Sequence, residues 1–138
     1  MLLDNIQVQT RGELEKLMDI VALNQIHAAL NLEKPVIYCF VNDEELLKVN
    51  INMLGHDYYT DIITFDYKDD DIEEDEILIS YERVIENSKT YNVELSEELH
   101  RVCIHGLLHI AGFGDKTNEE KKEMRMKENY YLKNYCST

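Results

Sequence analysis

Ile6 and Val8 alternate with Asn5, Gln7 and Gln9 near the start of the chain, the period-two pattern of a half-buried strand. Thr10 with Glu13 three residues on has the form of a capping box, and Leu14, Leu17, Met18, Val21 and Ala28 then follow at helical spacing. Pro35 opens the apolar run Val36 to Val41, a buried strand; Asn42 with Glu45 repeats the capping-box signature ahead of Leu46, Leu47, Asn50 and Leu54. Two further strands are predicted in DIITFDY and EILIS, rich in β-branched and aromatic residues and joined as a hairpin. The remainder reads as helices: Tyr81 to Tyr91, Glu97 to Ala111 after a Ser96 cap, and Asn118 to Leu132 after Thr117, whose partner Glu120 completes a third capping box. The succession predicts an α+β (mixed α/β) fold, one domain over residues 1–138, with a mixed four-stranded sheet and about five helices.

Composition narrows the class. Apolar residues at 44% and charged residues at 30% are ordinary for a folded, soluble chain of 138 residues. No apolar run approaches the roughly 20 residues that span a bilayer, and MLLDNIQVQT lacks a basic segment followed by a long apolar one, so no membrane association and a cytoplasmic location are expected. Cys39, Cys103 and Cys136 are odd in number and form no C-x-x-C, so Cys39 and Cys103 are expected as core filler. The formal charge of −14 opposes the general attraction to phosphates that drives most nucleic-acid binding, so an RNA substrate would need a local source of positive charge. The carboxylate-rich stretch Asp66 to Glu76 lacks the Gly and Asp spacing of a calcium loop and is expected to be solvated.

Candidate chemistry gathers at the end of the second-last predicted helix. His105 and His109, at i and i+4, lie about 40° apart on one helix face and can share a metal ion. Gly112 suits the residue after a helix end, where left-handed backbone is cheap, and the chain can return through Phe113 and Gly114 to bring Asp115 beside the histidines. Two imidazoles and a carboxylate suit zinc, and three ligands leave a position for water, which the ion would activate as nucleophile while polarising a phosphoryl oxygen. Gly106 stands where zinc peptidases of the H-E-x-x-H type carry their glutamate base, which argues against peptidase chemistry. A glycine in mid-helix also points to close approach by another backbone or a bulky ligand. His pairs at this spacing also arise by chance, so spacing alone leaves a metal site and a coincidence both open. His27, His56 and His100 lack such partners and are expected to be surface or internally satisfied histidines.

The stretch HGLLHIAGFGD closely resembles the H-G-x-L-H-x-x-G-[YF]-x-[HD] signature of the bacterial YbeY endoribonucleases. Upstream, VNINMLGHDYYTDIITFDY is similar to that family's L-N-x-x-[FY]-x-x-x-D-x-x-T-[DN]-[VI]-[LI]-[ST]-F segment, and EILIS resembles the end of its G-D-I-x-I-S strand. EMRMKENYYL resembles its last helix, with Met124 and Glu128 matching. The resemblance covers most of residues 42–132 and implies a zinc-dependent endoribonuclease of single-stranded RNA that matures the 3′ end of small-subunit ribosomal RNA and serves ribosome quality control. It places His105, His109 and Asp115 at the metal-ligand positions, with one Zn²⁺ per chain. The implied partners are ribosomal RNA within the small ribosomal subunit, a small-subunit ribosomal protein and an Era-type GTPase. Three positions depart from the family pattern: Asp115 where many members have His, Leu54 where an RNA-handling Arg is common, and Asp75-Glu76 in place of Gly-Asp.

With Leu54 in place of that arginine, positive charge must come from elsewhere, and Lys116, Lys121 and Arg125 are the candidates for contact with backbone phosphate. Their helix also carries Glu119, Glu120, Glu123 and Glu128, so a merely solvated mixed-charge face is the competing interpretation. No side chain presents itself as a separate general base. Against hydrolysis stand two alternatives: a ribosome-assembly factor acting by protein and RNA binding around a metal-stabilised surface, and a zinc hydrolase of another substrate. The acidic composition, which favours basic protein partners, supports the first.

Overall fold

The computed structural model describes residues 5–9, 14–67 and 71–136. Four strands, β1 (Ile6–Gln9), β2 (Val36–Val41), β3 (Ile62–Phe65) and β4 (Asp75–Ser80), form one mixed sheet in the order β1-β2-β4-β3. β1, β2 and β4 run parallel, and β3 closes the edge as the antiparallel arm of a β3–β4 hairpin. Period-two patterning is strict in β2, where Val36, Tyr38 and Phe40 are buried while Ile37, Cys39 and Val41 are half-covered. The register sets Tyr38 beside Ile77, so one face of the sheet carries a continuous apolar layer.

Five α-helices surround it: α1 (Ile20–Ala29), α2 (Asp43–Val49), α3 (Tyr81–Thr90), α4 (Leu95–Ile110) and α5 (Asn118–Tyr135). α4 is the central one. It packs against β3, α1, α3 and α5, and buries ten residues, among them Leu99, Cys103, Ile104, Leu107 and Leu108. Tyr38 on β2 donates its hydroxyl to the Cys103 carbonyl over 2.9 Å, tying sheet to helix inside the core. Gly106 is the point of closest approach. A Cβ there would stand 2.8 Å from Ile77 Cδ1 and 3.0 Å from Ile62 Cδ1, so the partner that Gly106 makes room for is neither a backbone nor a ligand but the sheet's isoleucines.

Two capping boxes form as the sequence predicts, Asn42 with Glu45 on α2 and Thr117 with Glu120 on α5. Elsewhere the helix starts differ. The Thr10 and Glu13 pair lies outside the described residues; Leu14–Leu17 is a short 3₁₀ turn, and α1 begins only after Asp19, whose side chain accepts from Ala22 N. The buried face of α1 is Ala22, Leu23, Ile26 and His27, leaving Val21 and Ala28 on the solvent side, because the break before Asp19 resets the helical phase. α4 starts one residue before Ser96, after Glu94, without a side-chain cap. α2 runs into a π-helical turn at Asn50–Leu54, an i→i+5 arrangement. No helix among the described residues is long and apolar enough to cross a membrane.

Candidate metal centre

The C-terminus of α4 is built to turn the chain back on itself. Gly112 takes φ +107, its N–H donates to the His109 carbonyl and the Phe113 N–H to the Leu108 carbonyl, the bonding pattern of a Schellman motif. The returning strand of chain brings Asp115 over the last turn of the helix. His109 Nε2 lies 2.9 Å from His105 Nε2, and Asp115 Oδ2 lies 3.3 Å from His105 Nε2 and 3.4 Å from His109 Nε2. Ligands of a tetrahedral zinc ion with bonds of about 2.0–2.2 Å are about 3.3–3.6 Å apart, so two edges of the triangle fit and the His–His edge is tight.

The far sides of both rings decide their tautomers. His105 Nδ1 donates to Glu128 Oε2 over 2.6 Å, and His109 Nδ1 donates to the Phe113 carbonyl over 3.0 Å. A carboxylate and a carbonyl only accept, so each ring keeps a proton on Nδ1 and, in its neutral form, turns a bare Nε2 lone pair inward. Two lone pairs and a carboxylate oxygen then face one another, an arrangement that a cation relieves and that a histidine–carboxylate hydrogen bond on the outer side is known to support. Among the described residues, these three form the group of His, Cys, Asp and Glu side chains that could hold an ion.

Glu128 anchors this geometry. It is buried, and accepts from Arg101 Nη1 over 2.9 Å as well as from His105. Burial alone would push its carboxyl up, but the bonds from His105 and Arg101 outweigh burial and hold it below the usual range. The same pair acts on His105, where burial depresses the ring and the bond and charge of Glu128, with Asp115 and Asp61, raise it overall. Nearby Glu98, also buried, is pushed up to about 7, first by burial and then by the charge of Asp61.

Two clefts flank the three donors. One, of about 430 Å³, lies against α3, α4 and α5 and includes Glu98, Arg101 and Arg125; the other, of about 260 Å³, lies towards Leu54, His56 and Tyr58. Asp61, at the foot of β3, lines both, and burial raises its carboxyl despite the opposing charge of His105. Lys121 and Arg125 border a third hollow that also reaches His105 and Asp115. Arg125 Nη1 stands 4.0 Å from Glu128 Oε1 with its side chain 63% exposed, so it keeps most of its donors for a ligand. Lys116 is exposed, bonds Glu120 Oε1 through its backbone N–H, and lines none of these spaces.

Spacing and periodicity point to neither Asp61 nor the role of Glu128, although Asp61 stands at T-[DN] of the family segment and Glu128 matches its last helix. A signal for Glu128 does exist: it falls between Met124 and Tyr131 on the buried stripe of α5, where an unpaired carboxylate would be costly. The remaining histidines are satisfied internally or exposed. His27 shares a 2.7 Å bond with the Lys34 carbonyl, and His100 accepts from Asp19 N and donates to the Ser96 carbonyl, while His56 is exposed.

A family model described as Endoribonuclease YbeY matches residues 3–136. A protein of Cytophaga hutchinsonii named Endoribonuclease YbeY is 43% identical over 128 residues, 91% of this chain and 86% of its own. Its namesake from Christiangramia forsetii is 47% identical over 109 residues, 76% of each chain. The solution structure of a Thermotoga maritima protein superposes with a TM-score of 0.68 at 29% identity, covering 93% of this chain and 87% of that one. Matched along nearly its whole length by the family model, the chain belongs to the Endoribonuclease YbeY family.

Proposed function

We propose that this protein is a zinc-dependent endoribonuclease of single-stranded RNA, acting in 3′-end maturation of small-subunit ribosomal RNA and in ribosome quality control. The observation that carries the proposal is the convergence of His105 Nε2, His109 Nε2 and Asp115 Oδ2, with both outer ring nitrogens already committed to acceptors. Zinc, when bound, supplies an activated water and a Lewis acid for a phosphoryl oxygen. The chain's own part is positional. Glu128 and the Phe113 carbonyl fix the two rings, and Asp115 contributes the one ligand charge, leaving the centre net positive in an otherwise acidic protein. Lys121 and Arg125 stand beside it to meet backbone phosphate.

Ribosomal RNA in the small subunit is the proposed substrate, with a small-subunit ribosomal protein and an Era-type GTPase as working partners. The test is cleavage of a single-stranded ribosomal RNA fragment by zinc-loaded protein. Wild type cuts it and His109→Ala does not; intact RNA with both would end the enzyme reading. The −14 charge favours a second reading, an assembly factor that works by binding basic partners. Cells carrying His109→Ala that still mature their ribosomal RNA would favour that alternative over catalysis.

A further inference from the structure

We propose that His56 and Tyr58 form a stacking platform that takes an unpaired nucleobase of the RNA beside the metal centre. The inference rests on the endoribonuclease reading and names how that site holds its substrate. The two rings are stacked on each other, centroids 5.2 Å apart and planes within 16°, and the Tyr58 hydroxyl bonds His56 Nδ1 over 3.0 Å. Tyr58 is 57% exposed, and both residues line the smaller cleft that reaches His105, His109 and Asp115. An aromatic pair left open to solvent with a finished internal stack has no part in the core; its free face is a site for another ring.

Three features of the fold favour this role. One buried residue ties the platform's backbone at both ends: Asn50, 2% exposed, donates its side-chain amide to the Tyr58 carbonyl over 2.8 Å, and its main-chain carbonyl accepts the His56 N–H over 3.1 Å. The backbone that carries the two rings is therefore fixed before a ligand arrives, which lowers the ordering cost of binding. The second feature is charge. The larger cleft presents five carboxylates against two arginines, whereas the cleft of the platform presents only Asp61 and Asp115, the latter facing the metal position. A polyanion entering towards the donors meets less repulsion on the platform side. The third is chemistry: stacking demands a base splayed out of a helix, so the platform selects single strands over duplexes.

The experiment uses the full, zinc-loaded chain and fluorescence anisotropy with a labelled, phosphorothioate-linked oligoadenylate and its abasic counterpart. Wild type is expected to bind the adenylate about tenfold more tightly than the abasic strand, the size of one stacked base. Tyr58→Ala loses about that factor on the adenylate, binds the abasic strand as wild type does, and keeps its zinc; Tyr58→Phe behaves as wild type. Because the chain has no tryptophan, Tyr58→Trp adds a single reporter at the platform, and oligoadenylate should quench it while the abasic strand does not. Equal binding of both strands by wild type and Tyr58→Ala, equal losses on both, or no binding of either would overturn the platform. Base-dependent binding of these strands with no cleavage of an unmodified single-stranded ribosomal RNA fragment would defeat the endoribonuclease reading alone, and cleavage of that fragment without base-dependent binding would defeat the platform alone.

Discussion

At the scale of single residues, the metal centre depends on a side chain that does not face the metal position. Glu128 accepts from His105 Nδ1 and from Arg101, and a glutamine there has one acceptor oxygen to offer two donors. Glu128→Gln is expected to weaken zinc binding by about 10–100-fold, the usual cost of removing such an outer partner, as read by competition with a chromogenic chelator. Zinc affinity unchanged in Glu128→Gln would contradict the role given to it. Glu98 leads to a different prediction. Its carboxyl titrates near 7 in the fold against an ordinary value of 4.5, so its contribution to stability is fully present below about 4.5 and is lost as pH rises through about 7. Glu98→Gln should therefore flatten the fall in urea midpoint between about pH 5 and pH 8, and a slope matching wild type would refute the assignment. The histidine pair was legible from its spacing, and Asp115 from the glycine turn after it. Glu128 stood out only as a match to the family's last helix; its role was not legible, because its contact with His105 is made by packing of α5 on α4, which no local pattern encodes.

At the scale of elements, local signals were read well where the determinant is local. Asn42 with Glu45 and Thr117 with Glu120 each set a helix start by bonds within four residues, and both form. The start and face of α1 differ from the helical spacing of Leu14, Leu17, Met18, Val21 and Ala28 because the 3₁₀ turn and the Asp19 cap separate Leu14 and Leu17 from the helix that follows. Ser96 fell inside α4, where its carbonyl serves His100. Gly106 was conspicuous in the sequence, yet what it accommodates became visible only with the sheet in place. Gly106→Val should collide with Ile77 and Ile62, lower stability by about 2 kcal/mol or more in urea unfolding, and shift the helix that carries both histidines. Unchanged stability in that variant would mean that α4 and the sheet are not packed as described.

For the whole molecule, the mixed sheet with five helices follows the order expected from alternating strand and helix patterns, with β3 and β4 paired as a hairpin. Against a net charge of −14, the structure puts Lys121 and Arg125, but not Lys116, beside the metal centre. Two phosphate contacts predict a shallow salt dependence, a slope of log affinity on log salt of about −1.4 for single-stranded RNA. A slope several times steeper would show that a basic surface other than this pair holds the strand. The central claim, that α4 and the turn after it assemble a zinc site, is tested most directly by anomalous scattering above the zinc edge from crystals of protein purified without chelator. The account predicts one peak per chain, about 2.0–2.2 Å from His105 Nε2, His109 Nε2 and an Asp115 carboxylate oxygen. A fully formed crystal with no peak between those three atoms, or with its zinc bound elsewhere on the chain, would contradict it.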